Sequence, residues 1–115
     1  MISIITIVLN DKNNIERTIQ SVLNQNIEIE YIIIDGGSTD GTLEVIEKYR
    51  DKIDILVSEK DDGIYNAMNK ATEKANGEWV CFMNSGDGFY NSNVLKNILP
   101  NIENSVDVVY GDWEV

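Results

Sequence analysis

ISIITIVL, residues 2–9, is an almost unbroken run of apolar and β-branched side chains. β-Branched residues favour extended backbone, and a run without polar alternation is typical of a strand that is buried on both faces. Such strands occur in parallel sheets whose two faces are covered by helices. The stretch therefore predicts an α/β fold with this strand inside the sheet.

Helical spacing follows this strand. The apolar residues fall at i, i+4, i+7 and i+8, which is the stripe of an amphipathic helix: Ile15, Ile19, Val22 and Leu23. Asn13, with a glutamate three residues later, matches a capping box and predicts the start of the helix.

The rest of the chain repeats this alternation of strand and helix. Two more helices are predicted from apolar stripes, at Leu43, Ile46 and Tyr49 and then at Ile64, Ala67, Met68, Ala71 and Ala75, with Gly77 as the stop of the second. Four more strands are predicted at residues 31–35, 53–57, 78–83 and 106–110, and a short helix at 92–99 before Pro100. This order predicts a parallel sheet with right-handed crossovers and helices on both faces.

The composition excludes several classes of protein. Nine Lys and Arg against 20 Asp and Glu give a formal net charge of −11, so no basic surface is available for a nucleic-acid backbone. The absence of histidine excludes Ser-His and Cys-His catalytic pairs and most zinc sites. Cys81 lies in an apolar run, which predicts a buried thiol.

Neither a membrane span nor a secretion signal is predicted. The apolar start is far shorter than the roughly 20 residues of a transmembrane helix, and it lacks a positively charged leader. We therefore expect a cytoplasmic chain, with peripheral contact at the inner face of a membrane left open.

Polar residues follow each predicted strand at its carboxyl end, where open parallel sheets bind their ligands. These ends carry Asn10 and Asp11, Asp35, Ser58 and Glu59 with Asp61 and Asp62, and the segments 84–87 and 111–112. Carboxylates that lie close together repel unless a cation joins them, so this edge predicts a divalent metal, Mg²⁺ or Mn²⁺. The chain contains neither a P-loop nor G-x-G-x-x-G, so a phosphate-bearing ligand would depend on that metal.

Five segments carry a resemblance to a known family: IITIVLN (4–10), TIQSVLNQ (18–25), IIIDGGSTDGT (32–42), SEKDDGIYNAMNKATEKANGEW (58–79) and CFMNSGD (81–87). In this order they resemble the nucleotide-binding half of a family-2 glycosyltransferase, nearest the branch that builds bacterial capsules and exopolysaccharides. The resemblance implies a Rossmann-like GT-A fold. Residues 1–115 would be the nucleotide-sugar-binding part of one domain, without its C-terminal acceptor part.

The resemblance also implies the residues that hold the nucleotide sugar. Thr6 and Asn10 would cradle the nucleotide, Asp35 would approach the base or ribose, and Asp61 would add a further contact. Many members have a second acid where this chain has Gly36, so the contact of that second acid is absent here.

A metal site is implied at residues 84–87. The family's Asp-x-Asp motif reads NSGD here, which leaves Asp87 as the metal ligand and Asn84 as a neutral oxygen donor in the nucleotide-sugar site. Many relatives have an arginine where this chain has Met68, followed by Asn69, a further nucleotide-sugar contact. Without that arginine, less positive charge is available to compensate a diphosphate.

The activity implied by the resemblance is metal-dependent, inverting transfer of a sugar from a nucleotide-diphosphate donor. We expect a UDP-sugar as donor and a glycan or lipid-linked acceptor, in the synthesis of bacterial surface polysaccharide. In relatives the catalytic base comes from a later region, so we assign no catalytic residue and expect this chain alone to be inactive. The motifs do not determine the donor sugar, the linkage or the oligomeric state.

Two other classes of protein stay open at this point. A noncatalytic nucleotide- or metal-binding module would share these motifs and lack an acceptor half. A receiver-like phosphoacceptor domain also gathers acids around Mg²⁺ at the ends of its strands. That domain needs an acid at the end of its third strand and a lysine after its fifth, where this chain has Ser58 and residues 111–112, Gly-Asp.

Overall fold

Parallel pairing proceeds outward from a central strand. The computed structural model describes residues 2–60, 64–77, 79–86, 88 and 108–110. In it, β1 (Ile2–Val8) pairs in parallel with β2 (Ile29–Asp35) on one side and with β4 (Trp79–Phe82) on the other. The outer strands are β3 (Ile55–Ser58), beside β2, and β5 (Val108–Tyr110), beside β4, both parallel to their neighbours. The predicted parallel sheet is confirmed.

Helices cover both faces of this sheet, as predicted. α1 (Lys12–Leu23) and α2 (Thr42–Glu47) pack on one face, and α3 (Ile64–Lys74) packs on the other. A 3-10 turn (Arg50–Lys52) leads into β3.

β1 has an apolar core on each side. Side chains alternate between the faces of a strand, so Ile4 joins the core beneath α1 and α2, and Ile5 joins the core beneath α3. Both are fully buried, and each contributes roughly 1.5–3 kcal/mol relative to an exposed side chain. The thiol of Cys81 is buried in the first of these cores, as predicted.

The predicted start of α1 is wrong by two residues. Asp11 is the N-cap, and Asn13 lies inside the first turn. Asp11 takes this place because its carbonyl oxygen accepts hydrogen bonds from the N–H groups of Asn14 and Ile15, at 3.2 and 3.0 Å. Its side chain caps no backbone N–H group, and its carboxylate makes the contacts described below.

The predicted end of α3 is also too late. The helix ends at Lys74, and Gly77 instead donates its N–H to Ser3 Oγ, at 2.9 Å. The predicted helix at 92–99 lies outside the described residues, and the last strand is described only at Val108–Tyr110. Within the described ranges, no helix has the length and apolar character that crossing a membrane requires.

A buried carboxylate closes the amino-terminal edge of the sheet. Glu30 is 8% exposed, and its Oε1 accepts hydrogen bonds from Ser3 Oγ at 2.9 Å and from the N–H of Asn76 at 2.8 Å. Its Oε2 accepts from Asn76 Nδ2 at 2.9 Å. Burial on its own raises the pKa of Glu30, but the hydrogen bonds from Asn76 and Ser3 outweigh it, so the pKa lies below its usual value.

We expect Glu30→Gln to lower the free energy of unfolding by about 1.5–3 kcal/mol near neutral pH, because the negative charge is lost and the amide nitrogen cannot accept the hydrogen bond from Asn76 Nδ2. The lowered pKa sets the sign of the pH dependence. The carboxylate stabilises the fold above its unfolded-state pKa, and this stabilisation is lost as the pH falls through the folded-state pKa. Urea unfolding of both proteins, from about pH 7 to about pH 3, tests this expectation. A difference in stability that stays constant across that range would contradict it.

Candidate functional site

Four strand ends meet at one edge of the sheet, here called the carboxyl edge. The register pairs Val8 with Asp35, and Asp35 with Ser58. Just past the end of β4, the N–H of Met83 donates to the carbonyl of Ile5 at 2.8 Å. The loops 9–11, 36–41, 59–60 and 83–86 therefore follow four parallel strands at the same edge, where open α/β sheets bind their ligands.

Asn10 joins the loop after β1 to the loop after β2. Its N–H donates to Ser38 Oγ, and its Oδ1 accepts from the N–H of Thr39, both at 2.8 Å. The φ of Asn10 is 49°, in the left-handed region that asparagine tolerates better than most residues. Asn10 thus lies exposed at the carboxyl edge, in agreement with its predicted place.

A second link between the same two loops lies at the starts of α1 and α2. The N–H of Asp11 donates to Thr42 Oγ1 at 3.0 Å, and the N–H of Lys12 donates to Asp40 Oδ2 at 3.2 Å. The Thr42 hydroxyl also donates to Asp40, and this hydrogen bond is the main reason why the pKa of Asp40 is lowered. Asp40 therefore adds a negative charge to an edge that already carries acids.

Asp35 is fully buried at the end of β2, and protein donors engage its carboxylate. Oδ2 accepts from the N–H groups of Gly37 and Ser38, at 3.3 and 3.1 Å, and from the Ser58 hydroxyl at 2.9 Å. Oδ1 accepts from the Ser38 hydroxyl. These contacts make Asp35 the residue that shapes the loop after β2. Its contact with a base or ribose stays a prediction.

Thr6 is not brought to the carboxyl edge. Its side chain is fully buried, and its hydroxyl shares a 2.8 Å hydrogen bond with the hydroxyl of Tyr31.

Asn69 has an exposed side chain in α3, and the preceding Met68 packs against the core on that face of the sheet. The residue at the position where relatives have an arginine thus contributes to packing.

The loop after β3 is tied to α3 by an ion pair. Lys70 Nζ lies 2.8 Å from Glu59 Oε1, and this hydrogen-bonded ammonium holds the pKa of Glu59 below its usual value. Asp61, two residues further along, lies outside the described residues.

The loop after β4 carries the predicted metal motif. Asn84 is exposed, and the N–H of Ser85 donates to the carbonyl of Ile7 at 3.3 Å. Gly86 has a φ of 97°, a left-handed conformation that suits glycine. Asp87 lies outside the described residues, and the described ones include no group of three or more acidic, histidine or cysteine side chains that could hold a metal. The exposed Asn84 amide is nevertheless an oxygen donor of the kind that Mg²⁺ and Mn²⁺ accept.

Sequence reasoning placed Asp11 and Ser58 at this edge, but it did not single out Arg17, Thr18 or Ser38, and it did not predict the contacts that these five residues make. Ser38 and Ser58 hold Asp35, and Asp11, Arg17 and Thr18 contact the loop after β4. The signal for the two serines was present in part, because hydroxyl residues just after buried strands often bond to nearby backbone or carboxylate groups.

Comparison with known proteins places these features in a family. The family model described as glycosyl transferase family 2 matches residues 3–115. The PGL/p-HBAD biosynthesis glycosyltransferase of Mycobacterium bovis is 31% identical over 118 residues, covering 97% of this chain and 46% of its own length. The putative teichuronic acid biosynthesis glycosyltransferase TuaG of Bacillus subtilis is 35% identical over 102 residues, covering 85% of this chain and 40% of its own. The chain thus spans less than half the length of these relatives.

Solved structures share the fold. TarS of S. aureus, residues 1–349 in complex with UDP, is 31% identical with a TM-score of 0.77, covering 86% of this chain and 31% of that one. The same protein has also been solved with UDP-GlcNAc. The mannosyltransferase PcManGT of Pyrobaculum calidifontis, solved with GDP-Man and Mn²⁺, has a TM-score of 0.83 at 22% identity, covering 90% of this chain and 32% of its own. The expected GT-A fold is confirmed.

We expect Asp35→Ala to lower the free energy of unfolding by about 1–3 kcal/mol, because it leaves the N–H groups of Gly37 and Ser38 without their acceptor. Asp51→Ala removes an exposed carboxylate from the 3-10 turn and is the matched control. Chemical denaturation of both variants measures the effect. Equal stability of the two variants would show that the Asp35 contacts do not hold the loop.

Gly86→Ala should lower stability by about 1–2 kcal/mol, since an alanine Cβ is disfavoured at a left-handed φ. An added Cβ would also lie 3.8 Å from Asp11 Oδ2, which is ordinary contact, so the cost should come from the backbone. Thermal unfolding of the variant measures this cost. An unchanged midpoint would show that the loop adopts another conformation.

Proposed function

The chain belongs to glycosyltransferase family 2, and we propose that the protein transfers a sugar from a nucleotide-diphosphate donor, a UDP-sugar, to a glycan or lipid-linked acceptor. The proposed setting is the synthesis of bacterial surface polysaccharide. The proposed stereochemical course is inversion, through in-line displacement of the diphosphate.

One observation carries this proposal. The loops after β1, β2 and β4 are hydrogen-bonded into one assembly at the carboxyl edge, and the exposed amides of Asn10 and Asn84 lie in two of these loops. Structures of TarS with UDP and UDP-GlcNAc share this fold over 86% of the chain. The names of the curated relatives, one in PGL/p-HBAD and one in teichuronic acid biosynthesis, support a glycan or glycolipid product.

The residues that bind the acceptor and the catalytic base are not assigned within this chain. The chain covers 46% of the length of the mycobacterial relative. Inverting transfer needs a base within hydrogen-bond reach of the acceptor hydroxyl and walls that orient the acceptor. We assign the base and the acceptor-binding walls to the region that the relatives have in addition to the part matched by this chain.

Electrostatics argues for a divalent cation in the donor site. The net charge of −11 and the ionised Asp40 oppose a diphosphate, and Met68 packs against the core where a cationic side chain is expected. Asp87 and Asn84 would hold Mg²⁺ or Mn²⁺, with waters and diphosphate oxygens in the remaining positions. When bound, the cation would stabilise the charge that develops on the leaving diphosphate. PcManGT, which shares this fold, was solved with Mn²⁺ and a nucleotide sugar.

A thermal-shift screen tests the donor and the metal together. We expect UDP with Mn²⁺ to stabilise the fold by about 2.7 kcal/mol at a hundredfold excess over Kd, and UDP in EDTA to stabilise it far less. Asp87→Asn should remove most of the gain from Mn²⁺, because it deletes the only carboxylate of the NSGD motif. Asp51→Asn makes the same change of charge at an exposed position and should keep the gain. Stabilisation by GDP and not by UDP would contradict the donor, and equal stabilisation in EDTA would contradict the metal.

A further inference from the structure

α1 and its N-cap hold the loop after β4 through three hydrogen bonds. Ser85 Oγ donates to Asp11 Oδ2 at 2.8 Å. The N–H of Gly86 donates to Thr18 Oγ1 at 3.0 Å, and the guanidinium of Arg17 donates to the carbonyl of Gly86. The two residues that precede Asp87 are therefore bound through a side-chain hydroxyl, a backbone N–H and a backbone carbonyl.

The contact with Thr18 is the most constrained of the three. The Thr18 side chain is fully buried, so packing holds its hydroxyl in place as the acceptor for the N–H of the half-buried Gly86. Gly86 also has a left-handed φ, which few residues other than glycine adopt. This conformation sets the directions of its N–H and carbonyl groups. Loss of the Thr18 acceptor would leave that N–H group without a partner.

Asp11 contacts both the loop after β4 and the start of α2. Its carboxylate bonds to Ser85, and its own N–H donates to Thr42 Oγ1 in the segment after β2. Its Oδ1 accepts from Asn14 Nδ2 at 2.8 Å, which fixes the carboxylate against the first turn of α1. Asp11 thus connects the start of α2 with the loop that carries the metal motif.

We infer that Asp11, Arg17 and Thr18 are positioning residues that hold Ser85 and Gly86, in the loop after β4, for metal-dependent binding of the nucleotide. The inference rests on the proposed function, since it concerns the metal and the nucleotide of that site. None of the three residues needs to touch either ligand. Their effect is transmitted through the backbone at Ser85 and Gly86. Hydrogen bonds made directly to a metal ligand change metal affinity by about 10–100-fold when they are removed, and we expect an effect within this range from contacts to the residues next to the ligand.

Two substitutions at one position separate the hydroxyl from the shape of the side chain. Thr18→Val keeps the branched side chain and removes the acceptor, whereas Thr18→Ser keeps the acceptor. Ser3→Ala is the matched control at the opposite edge, because the buried Ser3 hydroxyl likewise accepts a glycine N–H, that of Gly77, at 2.9 Å. Arg17→Ala and Ser85→Ala test the two other contacts. Arg17 is exposed and Ser85 is half-buried, so neither change should prevent folding.

The measurement is the affinity for UDP by calorimetry, in Mn²⁺ and in EDTA, together with direct binding of Mn²⁺ followed by electron paramagnetic resonance. Thr18→Val should weaken Mn²⁺ binding in the presence of UDP by about 10–100-fold, and leave UDP affinity in EDTA within about twofold. Thr18→Ser and Ser3→Ala should keep the wild-type response to Mn²⁺. Arg17→Ala and Ser85→Ala should each lose part of it.

The possible results distinguish the proposed function from the positioning role of Asp11, Arg17 and Thr18. A wild-type protein that binds no UDP under either condition would overturn the proposed function, and the inference with it. A wild-type response to Mn²⁺ that persists in folded Thr18→Val would overturn the inference alone, as would an equal loss in Ser3→Ala. If Thr18→Val does not fold, the pair Arg17→Ala and Ser85→Ala decides, and an unchanged response to Mn²⁺ in both would overturn the inference.

Discussion

Burial of β1 on both faces is the constraint on which the rest of the molecule depends. With Ile4 in one core and Ile5 in the other, neither face of the strand is open to solvent, and its own polar side chains, Ser3 and Thr6, are buried and hydrogen-bonded. The strands on either side run parallel to it, so their ends share the same two edges. The two edges have different structures. At the amino-terminal edge the buried Glu30 binds the α3–β4 connection, whereas at the carboxyl edge hydrogen bonds join loops that still expose Asn10 and Asn84.

The carboxyl edge combines fixed backbone with exposed polar groups, which is what recognition of a nucleotide diphosphate requires. Asp35 is oriented inward and shapes the loop after β2, and Asp11 performs a similar task between the loops after β2 and β4. The acids of this edge therefore do not all have one role. Some of them hold the backbone of the loops in place, whereas Asp87, the proposed metal ligand, would act on a bound ligand. The carboxylates of Asp11, Asp35 and Asp40 accept hydrogen bonds from hydroxyl groups, which carry no positive charge, so a cation is the natural partner for a bound diphosphate at this edge.

The fold was predictable from the sequence because its signals are local. The run at 2–9 and the stripe through Ile15 and Ile19 identify strand and helix without knowledge of the rest of the chain. The site was less predictable, since its contacts join residues that are far apart in sequence. No spacing rule brings Thr18 to Gly86, and Asp11 displaces Asn13 as the N-cap of α1 through its own backbone carbonyl. Burial of Thr6 was not predictable from its position either, because a residue near the end of a strand can still have its side chain inside the core.

The central claim is that the carboxyl edge, and not another surface, binds the nucleotide sugar. Titration of isotope-labelled protein with UDP-GlcNAc and Mg²⁺, followed by amide chemical shifts in solution, tests it most directly, because every loop carries its own backbone signals. We expect the largest shifts on Asn10, Gly37, Ser38 and Gly86, and unchanged signals from Asn76 and Gly77 at the opposite edge. Shifts centred on Asn76 and Gly77, or no shifts at saturating ligand, would contradict it.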